Sequence, residues 1–496
     1  MSTALGQAAL RERLRLRVPP PAVRSYLVAG ARRTEIHDSH VVEFFPQRYD
    51  PGESTVSHLR FALRHEPVDL RVLVAALEAI DPTEIVAWVR REPTGAFARR
   101  TWFFYETFTG RTLDLPDVTT GNYVDALDPD RHVVATRRRS PRHRVNDNLL
   151  GDAGLCPVVR RTRRLETSMA ARLGDEARLL TARYDPAVLA RAVAYLYTKE
   201  TRSSFAIEGE TPSPSRTERF VAALRSALDF DPADKAAIVR LQGVIVDPRY
   251  AAGDWRDSQN WVGGVAAGYR EAVEFIPPRP EDVPDLMAAW MRLTRRLEAD
   301  DLVDPVVAAA VSAFAFVFIH PFEDGNGRIH RFLIHHVLAR RGMSPPGTIF
   351  PVSAAILRDR RSYDAALETF SKPLFECIDW HFTPERRLVV ENDTADLYRY
   401  FDATPLAEYL YDRVADTVRR DLEAELDFVT VYDRALEAVK EIVDMPDRRA
   451  SRFVQLCMGN GGRLAGTRRA EFPELTDDEI ERLEAAVQAA MSASGR

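Results

Sequence analysis

A mainly α-helical protein is predicted, and three observations predict it. Apolar residues recur at helical spacing through most of the chain, as in VDLRVLVAALEAI and PAVLARAVAYLYTKE. Hydrophobic residues make up 45% and charged residues 29%, the composition of a folded globular chain rather than a disordered or fibrous one. The longest apolar run, 306–319, contains a serine and falls short of the roughly 20 residues a membrane span requires, so a buried core helix and no membrane are expected. At 496 residues the chain is too long for one ordinary core. Three parts are expected: a small basic α/β module at 1–165, a helical core at 186–385 and a helical C-terminal region at 386–496.

In the first part, 54–92 reads as two or three short helices, and the aromatic run WFFYE at 102–106 as a buried strand. Helices followed by a strand give an order compatible with a winged-helix-like module. Residues 1–165 hold 26 Lys and Arg against 20 Asp and Glu, the remainder 42 against 54. The basic excess sits in RRRSPRHR at 137–144 and RRTRR at 160–164, which reads either as a nucleic-acid footprint or as a solvated loop. Further on, 186–208 is expected to be a helix stopped by Gly209, and TPSPSR at 211–216 a loop. Helix then dominates to about His381, broken at 246–264 and by prolines at 277–284. Cys156, Cys377 and Cys457 are scattered without close pairing, which argues against a disulfide framework and against a thiolate metal site. The N-terminus lacks the pattern of a secretory signal, and a cytoplasmic location is expected.

Chemistry concentrates in FVFIHPFEDGNGRIHRFL, 316–333. An apolar helix runs into His320, and Pro321 takes the chain out of helical geometry. Gly325, Asn326 and Gly327 then lead into a second helix. A glycine turn at a helix N-terminus exposes unpaired N–H groups at the positive end of the dipole, an anion site suited to phosphate. Arg328 and Arg331, three residues apart, can point toward the same phosphate chain. Asp324 is the candidate ligand for magnesium (Mg2+), which nucleotide sites hold with a single carboxylate plus phosphate and water oxygens. His320 can accept a proton near neutral pH.

His320, Pro321, Phe322, Asp324, Gly325, Asn326, Gly327, Arg328 and Arg331 together resemble the signature of the Fic family, with Glu323 in its variable place. The intact GNGR resembles the AMP-transferring branch rather than its phosphocholine-transferring or kinase-like relatives. The resemblance implies a protein adenylyltransferase. His320 would deprotonate a Ser, Thr or Tyr hydroxyl of a target protein, or of the chain itself, for attack on the α-phosphate of ATP. Asp324 would hold magnesium, the loop amides and Asn326 would stabilise phosphate charge, and Arg328 and Arg331 would hold the β- and γ-phosphates. Phe322 would fix the loop by packing inward. DSQNWVGG (Asp257, Ser258, Gln259, Asn260, Trp261, Val262, Gly263, Gly264) resembles the family's flap, a hairpin that holds target backbone by strand addition. Ser204, Glu208 and Gly209 in SFAIEG resemble its inhibitory motif, with Glu208 expected to occupy Arg331. Some relatives with that motif also remove AMP, and homodimers occur in the family.

Plainer readings stand beside these. His330, His335 and His336 fall on different faces of the post-loop helix, and His37 and His40 have no partner ligands, so none is expected to bind metal. GNGGR at 459–463 copies the loop superficially but lacks a preceding histidine and acid, and reads as a helix–helix turn. Trp255 and Trp261 read equally as flap contacts or core. The alternating charges of the C-terminal region read as a packed helical extension or a dimer-forming face. Two other classes compete: a DNA-binding regulator whose basic N-terminal part acts while the core senses, and an interaction scaffold with a dead site. The complete motif argues against the scaffold.

Overall fold

The computed structural model describes residues 3–266 and 270–493 and divides into two compact units. The first comprises residues up to Arg172, Thr201–Met343 and Ser353–Arg413; the second comprises Leu173–Glu200, Ser344–Val352 and Val414 onward. The protein is mainly α-helical, as the periodicity predicts. No described helix is long and apolar enough to cross a membrane.

The first unit opens with a four-stranded sheet whose strands lie in the order Thr3–Leu5, Val23–Val28, Val41–Pro46, Arg33–Ile36. The two central strands pair in parallel and the outer pairs are antiparallel. Val23, Ser25 and Leu27 alternate into the interior, as a half-buried strand requires. Three helices follow, Thr55–His65, Leu70–Ala79 and Pro82–Arg91, each started by a side-chain cap from Ser54, Asp69 or Asp81. The expected strand at 102–106 is instead the middle of a helix, Ala96–Thr109, ended by Gly110 at φ +67°. Trp102, Phe103, Phe104 and Tyr105 are all buried because this helix is enclosed by Leu70–Ala79, Pro82–Arg91 and a small three-stranded sheet. A helix enclosed on several sides carries consecutive apolar residues, and periodicity alone cannot separate it from a buried strand.

The centre of the first unit is the helix Pro305–Ile319, in which every residue from Val306 to Ile319 is buried. Asp304 caps its start, accepting from Val306 N and Val307 N, and Pro305 occupies its first turn. It packs against Val283–Ala299 on one side and Asn326–Arg340 on the other. The expected helix at 186–208 is Pro186–Ile207, and Gly209 follows it at φ +73°. Within the expected loop at 211–216, a helix already begins at Pro214, because Ser213 caps it by accepting from Arg216 N.

The second unit has its own apolar core, in which Ala435, Val439, Phe453, Val454, Phe472, Leu483 and Val487 are buried together. Its helices Glu423–Ile442, Asp447–Met458 and Asp477–Ser492 turn apolar residues inward onto that core. Thr476 and Glu479 start the last helix with a reciprocal capping box. The glycine segment at 459–463 is a turn, with Gly461 and Gly462 at positive φ and Gly462 N donating to Cys457 O.

Candidate active site

The approach helix ends abruptly at His320. Its N–H still donates to Phe316 O at 3.0 Å, but its backbone lies in the left-handed region at φ +53°, ψ +57°. Non-glycine residues rarely adopt this conformation, and it costs about 1–3 kcal/mol unless the surroundings impose it. Here they do. Pro321 follows, and the Phe322 side chain is fully buried against Phe316 and Trp255. Gly325, at φ +94°, makes the turn into the helix Asn326–Arg340. A side chain there would be strained by the backbone and would meet Val246 at 3.0 Å.

The side chain of Asn326 departs from the expected role. Its Oδ1 accepts from Phe322 N at 3.0 Å and its Nδ2 donates to Phe322 O at 2.7 Å. Both polar groups are spent closing the loop on itself, so only its backbone amide faces the anion position. Asn260 Nδ2 donates to the same Phe322 carbonyl, and the buried Gln242 donates to Asp324 O. Gln242 escaped the sequence reading, because nothing in its neighbourhood marks a partner 82 residues away. The first intrahelical bond after the turn is Ile329 N to Gly325 O, so the amides of Asn326, Gly327 and Arg328 precede it as an anion-binding nest.

Both motif arginines are almost wholly buried and both are held by carboxylates. Arg331 Nη2 donates to Glu208 Oε1 at 2.7 Å and to Ser204 O at 2.8 Å, while its Nε donates to Ser204 Oγ at 2.9 Å. Arg328 pairs with Glu210 at 3.0 Å and with Asp324 at 2.6 Å. Glu210 in turn reaches Arg216 at 3.0 Å. Sequence reading singled out Glu208 but not Glu210, although the two are only two residues apart. The Glu208 carboxylate also lies against Gly327, its Oε1 only 2.3 Å from where a Cβ would stand. It therefore stands against the first turn of the helix as an internal anion. Burial alone would raise its pKa, but Arg331, with Arg328 and His320 behind it, outweighs burial and lowers it.

His320 Nδ1 faces Val317 O at 3.2 Å. A carbonyl only accepts, so Nδ1 carries the proton and Nε2 keeps its lone pair. Burial, reinforced by Arg256, pushes the imidazole pKa down to about 4, against the opposing pull of the Val317 carbonyl, Glu208 and Asp324. Across the ordinary pH range the ring is neutral. Asp324 is half exposed, and one of its oxygens takes Gly325 N and Arg328 Nη2, both at 2.6 Å. A lone accessible carboxylate beside an anion nest fits a hard cation held mainly by phosphate and water. Among the described residues no cluster of three or more His, Cys, Asp or Glu could hold a metal by itself.

The expected flap segment lies beside this loop. Asp257, Ser258, Gln259, Asn260 and Trp261 form a stretch without regular structure, and a two-stranded hairpin follows as Val262–Ala266 and Arg270–Phe275. Val262, Gly263 and Gly264 open its first strand, with a bulge between Val262 and Gly263. Ser258 Oγ donates to Glu323 Oε1 at 2.5 Å, and Trp261 meets Phe382 edge-on.

Other singled-out residues lie in plainer settings. His330 is buried against Phe314, His336 bonds Glu298 and Ala227 O, and His37 stacks on His40 at the surface. The basic clusters of the N-terminal part turn largely to internal acceptors. Arg142 binds Glu106, Asp117 and two carbonyls; Arg144 binds two carbonyls; Arg160 pairs with Asp402. A cavity of about 590 Å³ in this part is lined by Arg48, Tyr49, Arg60, Arg64, His65 and Glu92 among others, and by none of the loop residues.

Residues 232–338 match the model of the Fic/DOC family. The protein adenylyltransferase Fic of Culex quinquefasciatus is 38% identical over 103 residues, 20% of this chain and 18% of that protein. Its namesake from Nematostella vectensis is 26% identical over 202 residues, 40% of this chain and 35% of that protein. The chain thus spans about a fifth to a third of the length of these curated relatives. Among solved structures, a Fic family protein from Desulfovibrio desulfuricans G20 aligns over 64% of this chain and 95% of its own, at 18% identity and a TM-score of 0.38. Fic-1 from C. elegans aligns over 76% and 94%, at 17% identity and a TM-score of 0.31.

Proposed function

We propose, from the premise that this chain carries a Fic domain, that it is a protein adenylyltransferase held in check by its own carboxylates. One observation carries the reading. Within twelve residues lie an imidazole whose Nδ1 carries the proton, a helix N-terminus with the Glu208 carboxylate against its first turn, and two buried guanidinium groups.

The chemistry follows from these parts. ATP lays its phosphates on the amides of Asn326, Gly327 and Arg328, with Arg328 and Arg331 on the outer phosphates. His320 Nε2 takes the proton of a Ser, Thr or Tyr hydroxyl. The hydroxyl oxygen bonds to the α-phosphorus, and the bond from that phosphorus to the bridging β-phosphate oxygen breaks, releasing pyrophosphate. Asp324 would hold magnesium, which when bound neutralises phosphate charge. The protein supplies positioning and preset electrostatics, as phosphoryl-type transfer requires. The flap segment and the hairpin after it present an extended edge on which target backbone is held by strand addition. In the resting state Glu208 stands against Gly327 and holds Arg331, so a triphosphate meets one of its binding groups already taken.

The test uses ATP labelled separately at the α- and γ-phosphates, with wild type, Glu208→Gly and His320→Ala. Transfer of α-label alone, fastest in Glu208→Gly and absent in His320→Ala, is expected. Transfer of γ-label would make the protein a kinase and end this reading.

A further inference from the structure

Arg256 stands one residue before the segment read as the flap, is 5% exposed, and makes no ion pair among the described residues. Its partners are all carbonyls. Nε donates to His320 O at 2.9 Å, one terminal nitrogen to Ser258 O at 2.9 Å and the other to Pro278 O at 2.5 Å. Its backbone N–H donates to Pro321 O at 2.8 Å. Burying a guanidinium among carbonyls alone is costly, and burial pushes its pKa down to about 10. Only a planar fork can meet three carbonyls in fixed directions, which a lysine ammonium cannot do.

The three carbonyls belong to separate pieces of the site. His320 is the base, held in a strained left-handed conformation. Ser258 lies before the first hairpin strand and Pro278 after the second. The fork therefore ties both feet of the hairpin to the residue that must take the acceptor proton. Asn260 to Phe322 O and Ser258 to Glu323 run between the same two pieces.

We propose that Arg256 is a positioning residue that sets the register of the hairpin, and so of the acceptor backbone lying on it, against the imidazole of His320. This rests on the transferase reading above. Hydroxyl transfer demands that oxygen, ring nitrogen and phosphorus align, and a misplacement of about 1 Å costs on the order of 100-fold. Nucleotide binding does not use the fork, because each of its three nitrogens already donates to a backbone carbonyl. The charged and titratable groups facing the ring are Arg256, Glu208 and Asp324, and those facing Arg256 are Glu323, Tyr398 and Glu281.

The experiment places Arg256→Lys, Arg256→Gln and Asn260→Ala in the full chain carrying Glu208→Gly. The probes are α-labelled ATP with the protein's own hydroxyls, and a random Ser/Thr/Tyr peptide library. Arg256→Lys keeps the charge but loses the fork. Its kcat is expected to fall roughly 10- to 100-fold with ATP affinity within twofold of the parent and the acid limb of the pH profile unmoved. Arg256→Gln should lose a similar factor and move that limb upward, because a cation that keeps the imidazole deprotonated is gone. Asn260→Ala should lose a smaller factor in kcat, and it carries the test if a charge-removed variant does not fold. An active parent whose Arg256→Lys and Asn260→Ala variants keep kcat within twofold overturns the proposal alone. An inactive Glu208→Gly parent overturns the transferase reading and this proposal with it.

Discussion

Replacing Glu208 by glycine tests the central electrostatic claim. The carboxylate accepts from Arg331 at 2.7 Å, on a guanidinium only 1% exposed, while the Glu208 side chain itself is 36% exposed. For a triphosphate to use Arg331, this charge-assisted hydrogen bond must break. A hydrogen bond to a charged group contributes about 1.5–3 kcal/mol, and the partial exposure of Glu208 favours the lower half of that span. At about 1.4 kcal/mol per tenfold, removal should accelerate AMP transfer by roughly 10- to 40-fold. Glycine suits the position, since it follows the last helical residue, Ile207, and precedes a glycine at positive φ. Incorporation of α-label per minute at fixed ATP is the assay, with circular dichroism to confirm equal folding. A folded Glu208→Gly protein that transfers no faster than wild type refutes the argument.

Glu210→Gln should leave wild-type Glu208 in command and change little alone. Combined with Glu208→Gly it should add about 3- to 10-fold by releasing Arg328, read in the same assay. Asn326→Ala strips the Phe322 amide of its acceptor inside the loop, so urea unfolding should show a loss of about 1–3 kcal/mol and α-label transfer should fall at least tenfold. Glu66, 1% exposed, has its carboxyl pushed up to about 7 by burial. The native chain then holds a proton that the unfolded chain releases from about pH 4.5, so stability falls as pH rises from there to about 7. Glu66→Gln should flatten this slope, gaining on the order of 3 kcal/mol over wild type at pH 8 relative to pH 4 in urea titrations.

What the sequence discloses here depends on how far each residue reaches. The candidate site loop is legible because its parts are close neighbours: histidine, turn glycines and arginines lie within one short stretch, and helix-terminus physics gives them meaning. The charge of the basic clusters was equally legible, but their partners were not. Arg142 is spent on Glu106 and Asp117, 36 and 25 residues away, and composition cannot register that. The part that the Asn326 side chain plays inside the loop is not legible, because its two bonds reach back four residues to the Phe322 backbone, and a motif written in side chains does not register backbone partners. Arg256 gave no signal at all. Its acceptors are backbone carbonyls, which every residue possesses, and one of them is 64 positions away. The aromatic helix around Trp102 shows the same limit for the fold, since enclosure on several sides erases the periodicity that marks a helix.

The brake also has a kinetic signature that follows from where Glu208 sits. Its carboxylate lies against Gly327 and the Arg331 fork, which on the proposed reading hold phosphates, while no hydrogen bond among the described residues joins it to His320. A triphosphate can still lean on the remaining first-turn amides and on the half-exposed Asp324, but it must do so with its tail displaced. A displaced tail turns the α-phosphorus away from the line between the acceptor oxygen and the leaving oxygen. On this reading saturating ATP would fill the wild-type site without restoring alignment. Glu208→Gly should raise kcat more than it lowers KM for ATP, measured across a full concentration series. If saturating ATP instead brings wild type to the rate of the variant, Glu208 acts as a simple competitor, and the internal carboxylate excludes the nucleotide rather than misplacing it.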